Sequence, residues 1–245
     1  MKSESILILG AKSDIAKSLA EVYAKNGFDV QLACRNAKEF ESFRQHISVK
    51  YDVNAELYEF DVNTIETHET CIKNLSDMPE VLVSAIGVLG DQDQAENDSD
   101  HSLSIINTNF SHLICLLNRF ANLFEERGSG CIVGISSVAG DRGRKSNYMY
   151  GSAKAGFTAY LSGLRNRLVS SGVHVMTVKP GFVDTQMTKD LDLPAALTAQ
   201  PEQVAQAIYK GVEKGKNSIY VLWFWRWIML IIKLIPESIF KKLNL

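Results

Sequence analysis

A doubly wound α/β fold, one domain with a parallel sheet of about seven strands and helices on both faces, is predicted by two patterns. Apolar runs of strand length alternate with segments of helical period along most of the 245-residue chain. No repeat, low-complexity tract or Pro/Gly/Ser-rich linker interrupts them, so a single domain is expected over 1–222, followed by an apolar tail over 223–245. The predicted strands are 5–9, 28–34, 54–60, 80–85, 130–136, 172–179 and 218–222. Runs such as Ile6-Leu7-Ile8-Leu9 are continuously apolar, as a sheet covered on both faces requires. Helices are expected at about 14–26, 37–50, 64–76, 101–127, 148–170 and 201–214, each with an apolar stripe. The stretch from Asp91 to Asp100 is polar and reads as a loop.

Composition narrows the function. With 46% hydrophobic residues the chain can build a substantial core. A net charge of −2 carries no basic footprint, so nucleic acid is not an expected partner. Cys34, Cys71, Cys115 and Cys131 are scattered, without zinc-site spacing or disulfide density, and read as reduced thiols with no metal site. The first apolar run is too short for a secretory signal and stops at Gly10, so a cytoplasmic location is expected.

The turn after the first strand, Gly10-Ala11-Lys12-Ser13-Asp14-Ile15-Ala16, leads directly into a helix. Backbone N–H groups and the helix dipole at such a junction favour a diphosphate. Only one of the three glycines usual in a dinucleotide turn is present, because Asp14 and Ala16 occupy the later two positions. Ser13 and Asp14 also fit plain helix caps, and Asp14 is expected to turn toward backbone N–H groups rather than a ligand. The second strand ends at Cys34-Arg35 without an acid, and Lys12 is near in sequence. Cations there suit a ribose 2′-phosphate, so NADP(H) is expected over NAD(H), although a strand-end arginine is also common on surfaces. Asp61-Val62 closes the third strand and fits either the adenine side of such a site or an ordinary helix cap.

Tyr150 and Lys154 stand four apart, on one face of a predicted helix, with Ser137 upstream. An ammonium beside a phenol favours the phenolate, which brings tyrosine toward the range of acid–base chemistry.

These motifs together resemble the short-chain dehydrogenase/reductase family over roughly residues 5–222. The resemblance rests on Gly10 to Ala16, Asp61-Val62, Ser84-Ala85-Ile86-Gly87, Asn109, Ser136-Ser137, Tyr150 with Lys154, and Pro180-Gly181-Phe182-Val183-Asp184-Thr185. The fourth-strand segment departs from the family's Asn-Asn-Ala-Gly, retaining small residues only at Ala85 and Gly87. The resemblance implies that Tyr150 protonates a carbonyl oxygen, Lys154 holds the nicotinamide ribose and lowers the tyrosine pKa, and Ser137 polarises the carbonyl. It implies that Asn109, in preference to Asn107, bends its helix and supports a proton-relaying water. Pro180, Gly181, Val183 and Thr185 would wrap the nicotinamide. Ser136 and Tyr148 are the rivals of Ser137 and Tyr150. Residues 186–200 fit a substrate lid or a surface loop.

The run Trp223-Phe224-Trp225-Arg226-Trp227 and the apolar residues after it are too short to span a bilayer. Tryptophans and cations around an apolar helix suit the membrane surface, with a helix buried in an oligomer or lid as the alternative. With the Gly10 turn and Ala85 to Asp91, this tail is similar to the decaprenylphosphoryl 2-keto-pentose reductase-like branch of the family. The expected function is NADPH-dependent ketone reduction, on a polyprenyl-phosphate-linked keto-sugar or another lipophilic ketone. A non-catalytic nucleotide-binding scaffold is the alternative, and a homo-oligomer is expected.

Overall fold

In the computed structural model, which describes residues 4–243, strand β1 (Ser5–Leu9) supplies both halves of the core. Ile6 and Ile8 face one apolar cluster while Leu7 and Leu9 face the other, the period-two alternation of a strand buried on both sides. After β1 come α1 (Asp14–Lys25), β2 (Asp29–Cys34), α2 (Glu41–Tyr51), β3 (Ala55–Glu59), α3 (Glu66–Asn74) and β4 (Val81–Ser84). Next are α4 (Gln92–Asn97), α5 (Ser99–Ile106), α6 (His112–Arg127), β5 (Gly130–Ile135), α7 (Tyr148–Leu168) and β6 (Val173–Pro180). The chain continues through β7 (Phe182–Val183), β8 (Thr198–Ala199), α8 (Pro201–Glu213), β9 (Ser218–Val221), α9 (Trp225–Leu234) and α10 (Glu237–Phe240).

Seven strands form one sheet in the order β3-β2-β1-β4-β5-β6-β9, with every pairing parallel. This is the predicted doubly wound class. Residues of α1, α2 and α8 pack with one cluster, and those of α6 and α7 with the other. The strand order reverses between β1 and β4, and a crevice opens there beyond the carboxyl ends of the strands.

The structure corrects the sequence reading in three places. The polar stretch 91–100 is not a loop but holds α4 and the start of α5. Asp91 caps α4 by accepting from Gln94 N at 2.8 Å, and Asp98 caps α5 by accepting from Asp100 N and His101 N. Ala95 is the one buried residue of α4, so its sequence carries no apolar stripe to read.

The helix expected at 101–127 is broken by a π-turn at Asn107–Ser111, closed by His112 N–H on Asn107 O. Asn109 Nδ2 takes Ile105 O at 2.9 Å, the carbonyl that a continuous α-helix would give to the Asn109 backbone N–H. Finally, the apolar tail is two helices, separated by Ile235 and Pro236. The tail's last two residues, 244–245, and residues 1–3 lie outside the described residues.

Candidate active site

Gly10 ends β1 with φ at +81°, and a Cβ there would sit 3.1 Å from the Ala85 carbonyl. The chain therefore turns tightly against β4 and enters α1, where Ser13 Oγ accepts from Ala16 N at 3.2 Å. Asp14 turns toward the 186–200 segment, accepting from Gln186 N at 2.8 Å and approaching Lys17 at 3.5 Å. Gly10, Lys12, Ser13, Arg35, Asp61, Val62, Ala85 and Gly87 line a cavity of about 290 Å³ at the switch point. Asp61 Oδ1 accepts from Asn63 N at 3.0 Å, while Arg35 stands exposed at the rim. The absence of an acid at this strand end holds only in sequence, because the turn after β2 brings Glu39 to Lys12 at 2.9 Å.

A second cavity, of about 450 Å³, continues from the first across Lys12, Ser13, Ala85, Ile86 and Gly87. Its walls also include Asp14, Ile15, Ser137, Tyr150, Lys154, Pro180, Gly181, Val183 and Thr185. Of the sequence-derived candidates, Asn109 alone lines neither cavity. It is fully buried beneath them, where it accepts from Val88 N at 3.2 Å and donates to Val88 O at 2.8 Å. Asn109 Oδ1 and Lys154 Nζ both lie against the open face of Gly87, within 3.1 and 3.3 Å of the position a Cβ would take. A larger residue there would displace the lysine.

The rivals are separated by their contacts. Ser136 Oγ is committed to Lys154 O at 3.0 Å and Thr158 Oγ1 at 2.7 Å, which ties β5 to α7. Ser137 lines the cavity, where its hydroxyl accepts from Ala139 N at 3.1 Å and hydrogen-bonds Tyr150. Tyr148 points outward to Glu96 at 3.2 Å, whereas Tyr150 lines the cavity.

Lys154 Nζ donates to Ile135 O at 3.1 Å and lies 5.7 Å from the centroid of the Tyr150 ring. Burial pushes the Lys154 ammonium down to about 8. The expected lowering of the tyrosine is not what this site shows. Burial pushes Tyr150 up to about 12, opposed by the Ser137 hydrogen bond. Sequence spacing reports the charge pair but not the desolvation, and desolvation dominates here. Near neutrality Tyr150 is therefore a protonated donor beside a cation.

Lys154 also gives stability a pH dependence of known sign. Between about pH 8 and its ordinary 10.5, the unfolded chain holds a proton that the folded chain has released, so this group adds stability as pH rises. In urea unfolding of the ligand-free protein, wild type is expected to gain on Lys154→Met from pH 8 to pH 10. A pH-independent difference would contradict the burial of the charged form.

The sequence reading gave a helix buried in an oligomer or lid only as the alternative for the tail. Trp225 is 3% exposed and its indole packs against Gly181, where a Cβ would fall 1.9 Å from Cε2. Trp225 Nε1 donates to Leu197 O at 3.2 Å, and the ring meets Phe182 edge-on at 5.3 Å. Arg142 holds the end of α9 by donating to Ile232 O at 2.5 Å and Ile235 O at 2.7 Å. The only signal in the sequence was the density of aromatic residues.

Residues 4–195 match the short chain dehydrogenase family. The chain belongs to that family. An uncharacterized oxidoreductase of Mycobacterium tuberculosis is 33% identical over 97% of this chain and 96% of its own length. The acetoacetyl-CoA reductase of Allochromatium vinosum is 27% identical over 85% of this chain and 92% of its own. In fold, the chain is similar to a short-chain dehydrogenase from Sphingobium yanoikuyae in complex with NADPH. The TM-score is 0.82 at 21% identity, covering 96% of this chain and 97% of that one. As a short-chain dehydrogenase the protein is an oxidoreductase, and its two cavities join at the switch point of the sheet.

Proposed function

We propose that this short-chain dehydrogenase reduces the ketone of a lipophilic substrate to a secondary alcohol with NADPH, at the cytoplasmic face of a membrane. The observation that carries the reading is the convergence of Ser137, Tyr150 and Lys154 on one cavity, which joins the cavity at the Gly10–Ser13 turn. Gly10, Ser13, Ile15, Asp61, Val62, Ala85 and Gly87 would hold the dinucleotide from the switch point, and Lys154, Pro180, Gly181, Val183 and Thr185 its nicotinamide end. The reduced coenzyme, when bound, supplies the hydride.

Ser137 orients and polarises the ketone oxygen. Tyr150 delivers its phenolic proton to that oxygen, and the Lys154 ammonium stabilises the phenolate left behind. Asn109 fixes the backbone at Val88 and thereby the floor against which Lys154 rests.

Arg35 and Lys12 support the preference for NADPH, as does the NADPH held by the similar Sphingobium enzyme. We expect kcat/KM with NADPH to exceed that with NADH at least about tenfold, and Arg35→Ser to erase most of the difference. Equal or better kinetics with NADH would remove the preference.

For the substrate, the resemblance to the keto-pentose reductase-like branch supports a polyprenyl-phosphate-linked keto-sugar. The acetoacetyl-CoA reductase likeness favours a 3-ketoacyl group as the second reading. No helix among the described residues is long and apolar enough to cross a membrane. Yet α9 leaves Trp227, Leu230, Ile231 and Leu234 from 45 to 73% exposed, beside Trp223 at 74%. That apolar face supports interfacial binding, with a homo-oligomer contact as the competing use. Serine at Trp227, Leu230 and Leu234 together is expected to abolish flotation with phosphatidylglycerol vesicles. Unchanged flotation would reject the membrane contact, and a change of oligomeric state would assign the face to a second copy.

A further inference from the structure

Beside the catalytic cavity runs a groove of about 750 Å³ between α9 and the α4–α5 region. Leu89, Arg144, Asn147, Phe182 and Leu191 line both, so the two spaces are continuous. The groove combines two kinds of wall. Trp225, Ile228 and Ile232 line it from α9 at helical spacing and make that wall apolar.

The other wall is polar and unsatisfied. Seven buried side-chain polar atoms lack a hydrogen-bond partner among the described residues, and three of them belong to residues lining this groove: Arg144 Nε, Gln92 Nε2 and Asn147 Oδ1. Leaving such atoms unpaired is unfavourable, and the three residues that carry them line one continuous groove, where a polar ligand group would find partners. Gln92 has no freedom to flip, because its Oε1 accepts from Met149 N at 3.0 Å, and its Nε2 faces the Tyr148 hydroxyl without closing a hydrogen bond on it. Arg144 Nη2 meets only the Met229 sulfur, at 3.3 Å, and none of the ion pairs among described residues involves Arg144. Its neighbour Asp141 is consumed by Lys179 at 2.5 Å and Tyr220 at 2.7 Å. On the rim, Asp91 faces its helix cap and Asp93 is exposed. The arginine is thus a half-buried cation that feels the Asp141 charge but, among the described residues, has no carboxylate within ion-pair distance.

We propose that this groove is a substrate subsite for an anionic amphiphile. Arg144 and Gln92 bind an acidic oxygen group close to the ketone, Asn147 accepts from a hydroxyl, and a hydrocarbon chain lies along Trp225, Ile228 and Ile232. A phosphate or phosphodiester fits the donor pair, since arginine and a second N–H can each engage one oxygen. The chain would leave toward the exposed outer face of α9, which joins the subsite to the proposed membrane contact. This assignment rests on the ketone-reductase reading for the position of the reacting carbon, but its binding test does not need turnover.

The test is calorimetric titration of the full-length protein, saturated with NADP⁺ so that the coenzyme's own phosphate sites are filled. Decyl phosphate, below its micelle concentration, is the probe; 1-decanol, decyltrimethylammonium and inorganic phosphate are the controls. Decyl phosphate is expected to bind at least about tenfold more tightly than any control. Arg144→Gln should weaken it at least tenfold while Arg144→Lys restores part of the affinity, and Ile228→Glu should weaken it with Arg144 intact.

Binding of inorganic phosphate as tight as decyl phosphate would reduce the site to a free-anion pocket and overturn the amphiphile assignment. Equal affinity for decanol, or an Arg144→Gln variant that melts like wild type and keeps full affinity, would overturn the anion site. Reduction of neutral ketones with no Arg144-dependent binding of decyl phosphate would sink the subsite and leave the reductase reading standing. Binding without turnover on any ketone would do the reverse.

Discussion

Tyr150→Phe is expected to lower kcat/KM for ketone reduction by a factor of about 10² to 10⁴, the usual contribution of a positioned proton donor. NADPH affinity should change little, because the substitution removes one oxygen from the cavity wall and leaves Lys154 on its carbonyl partners. The comparison with Tyr148→Phe sharpens the result. That phenol faces Glu96 on the outside, so its loss should leave turnover within about twofold of wild type. Retention of a tenth or more of the wild-type rate in Tyr150→Phe would remove the tyrosine from the chemistry.

The second large effect concerns the tail. Trp225→Ala deletes a buried indole and should cost about 3–5 kcal/mol of stability in urea unfolding. It also releases the 186–200 segment at Leu197, so limited proteolysis should cut there first. Gly181→Ala places a methyl group inside the same indole and should be destabilising for that reason alone. The two costs are therefore not additive: in the Trp225→Ala background, Gly181→Ala should be nearly neutral. Additive losses would mean that Gly181 is required for its backbone rather than for its contact with the tryptophan.

The sheet was legible because strands such as β1 and β4 are short, continuous apolar runs. Its helices were legible where they bury a stripe, as α1 does with Ala16, Leu19, Ala20 and Tyr23. Where a helix buries almost nothing, as α4 does, sequence pattern and loop pattern coincide. The π-turn was hidden for another reason. It depends on one amide of Asn109 replacing a backbone donor, which no periodicity reports.

At the site, the motif spacing singled out Ser137, Tyr150 and Lys154, and the fold brings them to one cavity. The sign of the tyrosine shift was not legible, because charge spacing is written in the sequence and desolvation is not. Arg144 and Gln92 belong to no motif, and they reach the groove only through the packing of α4 and α7 around it. Trp225 and Gly181 meet through a contact between distant segments, which a single sequence does not encode as a pattern.

The central claim is that Tyr150, with Ser137 and Lys154 in the same cavity, delivers a proton to a carbonyl reduced by hydride from the coenzyme. Single-turnover reduction of a ketone with NADPH deuterated at the transferred position of the nicotinamide tests it most directly. Wild type is predicted to yield alcohol bearing the deuterium on its carbinol carbon, and Tyr150→Phe to bind the same coenzyme and yield almost none. Alcohol without deuterium from wild type, or equal labelled yield from both proteins, would contradict the account.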